Sequence, residues 1–124
     1  MASVLLLGLD EDLAAPLASV LRHRSHDVTI LQSPSAHLGE ITARIVFAAG
    51  DGPGYRDIVR RLRFERPDAA VIVVNRLPES GRWLDALELG ATDYCGAPFE
   101  SVQINWIVDG ALRGMPKAAA AAAA

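Results

Sequence analysis

The chain has 124 residues, with 12 basic and 15 acidic side chains, a formal net charge of −3 and a single cysteine. A chain of this length forms one domain that buries roughly two-thirds of its unfolded surface without disulfide staples, and its mild acidity excludes a strong global pull toward nucleic acid. Cys95 has no second cysteine to pair with, and the stretch MASVLLLGLDED has no basic region and too short an apolar run for a signal peptide or membrane span, so a reducing, cytoplasmic setting is expected.

Three short apolar runs, VLLL (4–7), IVFAA (45–49) and AVIVV (70–74), read as buried parallel strands whose C-terminal ends carry any site. Gly8-Leu9, Gly50 and Asn75 follow them. After the first strand, Asp10-Glu11-Asp12 opens a helix carrying Leu13, Leu17, Val20 and Leu21 at three- and four-residue spacing, closed by Arg22-His23-Arg24. Helix capping accounts for Asp10 and Asp12 without any chemistry. Pro16 falls early in that helix, where a bend of the first turn is expected.

DVTILQ (27–32) is the second strand, and Ser33-Pro34-Ser35 starts a short second helix running to about Ile41. The third strand runs into the turn-rich loop Gly50-Asp51-Gly52-Pro53-Gly54. A third helix over 55–65 turns Ile58, Val59 and Leu62 inward and stops before Pro67. A fourth strand, a helix over 80–89 with Leu84 inward and Gly90 as its cap, a strand over 92–95 and a last helix over 100–113 complete five βα units. Residues 1–114 are the expected domain. Residues 115–124, which end in seven alanines, are set aside as a tail or linker.

From Ala70 onward the stretches VIVVN, ALELGATDY and APF resemble the second half of a response-regulator receiver domain. Receivers have there an apolar strand ending in Thr or Ser, an ALxxGAxxY/F helix-to-strand join, and Lys-Pro-Phe. The resemblance extends over residues 3–113 and implies a doubly wound, flavodoxin-like α/β fold, with five helices around a five-stranded parallel sheet of order 2-1-3-4-5. It also implies Mg²⁺-assisted phosphoryl transfer to an aspartate. That chemistry uses an acidic pair after the first strand, an acceptor Asp ending the third, a hydroxyl after the fourth and a Lys after the fifth. The corresponding positions here are Gly8 and Leu9, Ala49, Asn75 and Ala97. None supplies the required group, because Mg²⁺ needs hard oxygen ligands, the acceptor needs a nucleophile and the developing charge needs a cation. The resemblance therefore implies a pseudo-receiver with no catalytic residue, no metal and no cofactor.

Three readings follow. In the first, a non-enzymatic signalling module acts by protein association, with itself or a partner, through the face formed by the fourth helix, fifth strand and fifth helix. Trp83, Tyr94 and Ile107 would carry that face, with Arg82, Glu100 and Gly110 at its rim. Tyr94 matches the family's aromatic switch, here expected to be fixed in one state, and an output domain is expected in a longer chain. In the second, a small ligand or anion binds the loop Gly50, Asp51, Gly52 and Gly54 beside Gly8, Ala49 and Asn75. In the third, Asp51 accepts phosphate from a displaced position. The third helix carries Arg56, Arg60, Arg61 and Arg63, with Arg66 just beyond; Arg56 and Arg60 are expected to line a solvated face or meet an acidic partner rather than nucleic acid, and His23, His26 and His37 are expected at the surface without ligand spacing.

Overall fold

The computed structural model describes residues 2–32, 42–50, 54–76 and 80–113. Strands β1 (Ser3–Leu7), β2 (Asp27–Leu31), β3 (Ile45–Ala49), β4 (Ala70–Asn75) and β5 (Asp93–Gly96) form one parallel sheet in the order β2-β1-β3-β4-β5. Helices α1 (Glu11–His23), α2 (Tyr55–Glu65), α3 (Ser80–Glu88) and α4 (Ser101–Leu112) flank it. Four helices are thus present among the described residues where five were expected. The second of the expected five falls on residues outside the described ones, and α2 to α4 are the expected third to fifth.

The inner strands β1, β3 and β4 are apolar on both sides because both faces of the sheet are covered there, whereas the edge strand β2 is mostly exposed. Alternate residues go to opposite layers. Leu6, Phe47, Ile72 and Cys95 face α1 and α4, meeting Leu13, Leu17, Leu21, Ile104, Ile107 and Val108. Leu5, Val46, Val71 and Tyr94 face the layer containing Val59 and Leu62 of α2 and Ala86 of α3. The register aligns Leu6 with Phe47 and Phe47 with Ile72, so the largest buried side chain sits at the middle of the sheet. Cys95 is buried, as expected.

One expectation changes at the helices. Leu84 is 57% exposed, and Ala86 is the residue of α3 that meets the core. Two residues are about 200° apart around a helix, so both cannot face the sheet. Pro16 lies inside α1, which nevertheless continues to His23; the proline ring lacks the N–H that would bond the Asp12 carbonyl.

His26 also departs from the expected surface position. It is buried, and its Nδ1 accepts the Ala2 N–H at 3.1 Å while the Asp27 N–H bonds the Ala2 carbonyl at 2.9 Å. The turn after α1 is thereby pinned to the start of β1. Burial, with positive charge nearby including Arg24, pushes the imidazole below its ordinary 6.5. The unfolded chain therefore takes up this proton more readily, so the stability carried by His26 is complete above pH 6.5 and is lost as pH falls from there through the folded-state value. Thermal unfolding of wild type between pH 7 and pH 5 is expected to fall more steeply than that of His26→Gln, and parallel curves would count against this linkage.

Candidate functional site at the carboxyl rim of the sheet

The C-terminal ends of β2, β1, β3, β4 and β5 lie side by side, and short backbone bonds join exits of neighbouring strands. Gly8 donates to the Leu31 carbonyl at 2.8 Å, Gly50 to Val74 at 2.8 Å and Ala97 to Asn75 at 3.1 Å. Gly8 has φ +72°, a left-handed turn that an L side chain resists. Ala49 and Ala97 are half-buried against the core, and the Ala97–Pro98 peptide is cis. Four of the five positions singled out from the sequence, Gly8, Ala49, Asn75 and Ala97, thus meet at one rim. Leu9 does not; at 1% exposure it is turned into the core beside Leu13 and Leu17.

Chemistry at the rim comes from residues the sequence reading assigned elsewhere or passed over. Asp10 stands at the N-cap of α1 but makes no side-chain capping bond. Its carboxylate instead accepts from Nη2 of Arg76 at 2.7 Å. The same Nη2 reaches Asp12 Oδ1 at 2.9 Å, and Arg76 Nη1 donates to Asp12 Oδ2, so Asp12 is held by both prongs of the guanidinium. Hydrogen bonding to Arg76 holds the Asp12 carboxyl below the usual carboxylate range, and the same bonds raise the Arg76 pKa. Arg76 follows β4 and the two acids follow β1, with β3 between them. Neighbouring strands are about 4.8 Å apart, so this clasp spans about 10 Å and crosses the exit of β3, where Ala49 and Gly50 stand. The sequence signal for this contact is a cation directly after the fourth strand.

Beneath the clasp, Asn75 is 2% exposed and its Nδ2 donates to the Tyr94 hydroxyl at 2.9 Å. Its Oδ1 has no hydrogen-bond partner among the described residues. Tyr94 itself is 7% exposed and Ile107 1%, so two of the three residues expected to form an interaction face are in the core. Ile107 faces the sheet together with Ile104 and Val108, and Tyr94 is drawn in by Asn75. The third, Trp83, lies in α3 with its side chain outside the described residues, as is that of Arg82. Gly110 is buried and Glu100 exposed. Among the described side chains, the exposed large apolar groups on these two helices are Leu84 of α3 and Val102 and Trp106 of α4.

In the candidate ligand loop, Gly50 is buried, and a Cβ on it would fall 2.3 Å from Val73 Cγ1 and 3.0 Å from Asn75 Oδ1, so no space remains there. Gly54 has φ +87° at the start of α2, and Asp51 and Gly52 lie outside the described residues. Most of the arginines around α2 are engaged internally. Arg56 donates to Asp85 at 2.6 Å beside the Tyr55 hydroxyl, which bonds the same carboxylate, and Arg63 donates to the Ala69 carbonyl at 2.6 Å. Arg66 lies 3.5 Å from Asp68 and Arg61 4.0 Å from Asp57, while Arg60 is exposed. His23 is exposed, His37 is outside the described residues, and no group of three His, Cys, Asp or Glu side chains is placed to hold a metal among the described residues. Nor is any described helix long and apolar enough to cross a membrane.

No family model matches the chain. It is 32% identical over 109 residues to the sensory transduction protein RegX3 of Mycobacterium tuberculosis and of Mycobacterium bovis, an overlap of 84% of this chain and 48% of the relative. The chain spans about half the length of these relatives. Among solved structures, a response regulator from Thermotoga maritima superposes with a TM-score of 0.81 at 19% identity, over 91% of this chain and 98% of that one. The BeF3-activated DrrB receiver domain gives 0.78 at 22% identity, over 91% and 98%. The beryllofluoride-activated NtrC4 receiver domain dimer gives 0.80 at 16%, over 92% and 98%. The chain has the fold of a response-regulator receiver domain.

The receiver fold implies a Mg²⁺ site at this rim, and the residues present do not fit one. Gly8 and Ala49 offer no side-chain oxygen, Leu9 is in the core, and both carboxylates after β1 are already bonded to an arginine. The receiver rim is also tightly built around its glycine. Gly50→Ala is expected to lower stability by about 1–3 kcal/mol in urea unfolding, because the methyl must displace Val73. A loss below half a kilocalorie would show that β3 and β4 separate without strain.

Proposed function

We propose that this receiver domain is a pseudo-receiver, a signalling module that takes no phosphoryl group and acts by protein association. The observation that carries this reading is the Arg76 clasp. A tethered guanidinium already binds both Asp10 and Asp12 across the exit of β3, where alanine stands in place of a nucleophile. No residue is assigned a catalytic role and no cofactor is invoked. The module works in the cytoplasm as the 1–114 unit of a regulator, and its output lies in another segment or a partner, in keeping with a match to only about half of its relatives' length.

Incubation with MgCl₂ and acetyl phosphate, followed by intact-mass measurement, is expected to leave the mass unchanged. A phosphate adduct mapped to Asp10, Asp12 or Asp51 would overturn the reading and restore a phospho-accepting domain.

Association is assigned to the end of the sheet where α3, β5 and α4 meet, using the exposed apolar groups Leu84, Val102 and Trp106 in place of Tyr94 and Ile107. A dimer of the related NtrC4 receiver domain has been solved, which makes a second copy the first partner to test. Light scattering is expected to give a dimer that the double variant Val102→Ser, Trp106→Ala reduces to a monomer of about 13.2 kDa. A variant that keeps the dimer mass would exclude α4 from the contact.

A further inference from the structure

The clasp and the buried tyrosine are joined by one peptide unit. Arg76 follows Asn75 directly; the Arg76 guanidinium is anchored to α1, and the Asn75 amide holds the Tyr94 hydroxyl at 2.9 Å. Asn75 is further tied to β5 through its carbonyl, which accepts the Ala97 N–H at 3.1 Å. The side chain of Asn75 is thus placed between an exposed ionic anchor and a buried aromatic group, and it has little room to adjust. Its Oδ1 is buried against Gly50 without a hydrogen-bond partner among the described residues, an arrangement that persists only when the surroundings hold it.

We propose that the Arg76 clasp is an internal latch that keeps Tyr94 buried, so that releasing Arg76 from Asp10 and Asp12 frees the tyrosine and loosens the β5 edge between α3 and α4. The domain carries its own holding cation. One ion pair on a surface contributes little, but here one guanidinium is shared by two carboxylates with both prongs on Asp12. The latch is accessible, since the side chains of Arg76, Asp10 and Asp12 are 43%, 72% and 62% exposed, so a protein or ligand that competes for either partner opens it. The proposal rests on the pseudo-receiver reading for the rim having no phosphoryl input, but its test reads tyrosine exposure and gives the same answer whether or not phosphate is accepted.

The chain contains two tyrosines, Tyr94 and Tyr55, and the second is held by Asp85 and not by Asn75, which makes it an internal reference. Limited nitration with tetranitromethane, quantified by peptide mass, reports each separately. In Arg76→Gln, and in Asp10→Asn with Asp12→Asn, Tyr94 is expected to react about fivefold faster relative to Tyr55 than in wild type, as the loss of a small charge network predicts. Arg76→Lys keeps a cation and is expected to fall between. An unchanged Tyr94-to-Tyr55 ratio in both clasp-breaking proteins overturns the latch, as does a joint rise of both tyrosines, which would mean general loosening. The carboxylate double variant leaves Arg76 in place and keeps the test valid if Arg76→Gln fails to fold.

Discussion

A parallel sheet covered on both faces leaves its side chains no freedom except at the ends of the strands. Every residue inside β1, β3 and β4 is committed to one of two apolar layers, and the alternation of Leu5 with Leu6, Val46 with Phe47 and Val71 with Ile72 shows both layers drawing on the same short segments. A polar group in mid-strand would be buried at a cost of several kcal/mol without a partner, so polar chemistry collects at the exits. The exits of β1, β3, β4 and β5 are neighbours only because the strand order places β3 between β1 and β4. The core therefore sets which residues can meet at the rim before any of them has a chemical task.

The rim is occupied by charge, in a form that suits a tethered ion better than a free one. A divalent cation needs several oxygens converging at short, nearly octahedral distances, whereas a guanidinium needs planar acceptors in a fork. Asp10 and Asp12, on the first turn of α1 and at its cap, offer the second arrangement to Arg76. They also favour the positive end of the α1 dipole, so the helix and the arginine bind the same carboxylates without competing for them. Exposure to water keeps the energy of each contact small, and salt weakens it further. This exposure makes the clasp suitable as a holding device rather than a source of global stability.

Strand and helix order were legible in the sequence because both depend on short-range periodicity. The span of β3 was read residue for residue from IVFAA, as was that of α2 from its apolar spacing and the proline that follows it. Long-range pairing was less legible. Asp10 and Asp12 look like capping residues, since capping is a local property, while their partner Arg76 is 64 residues from Asp12. His26 looks like a surface histidine because its acceptor role depends on the Ala2 N–H, 24 residues away. Tyr94 and Ile107 fail as surface residues for a related reason: their helix or strand was identified correctly, but the face they present depends on what packs against it. Leu84 shows the same limit in reverse, exposed in a helix whose buried position belongs to the smaller Ala86.

The departures at the rim are not independent losses. An arginine after β4 can reach the acids after β1 only if the intervening exit of β3 offers it neither an obstacle nor a nearer carboxylate. Ala49 and Gly50 meet both conditions, since neither carries a side chain larger than a methyl group and neither carries charge. Leu9 completes the arrangement from the other side, since its burial beside Leu13 and Leu17 fixes the turn that presents Asp10 and Asp12 outward. The small residue on β3, the cation on β4 and the core leucine after β1 are thus parts of one structure, in which the position that would have taken up a charge from outside is bridged by a charge of the chain's own.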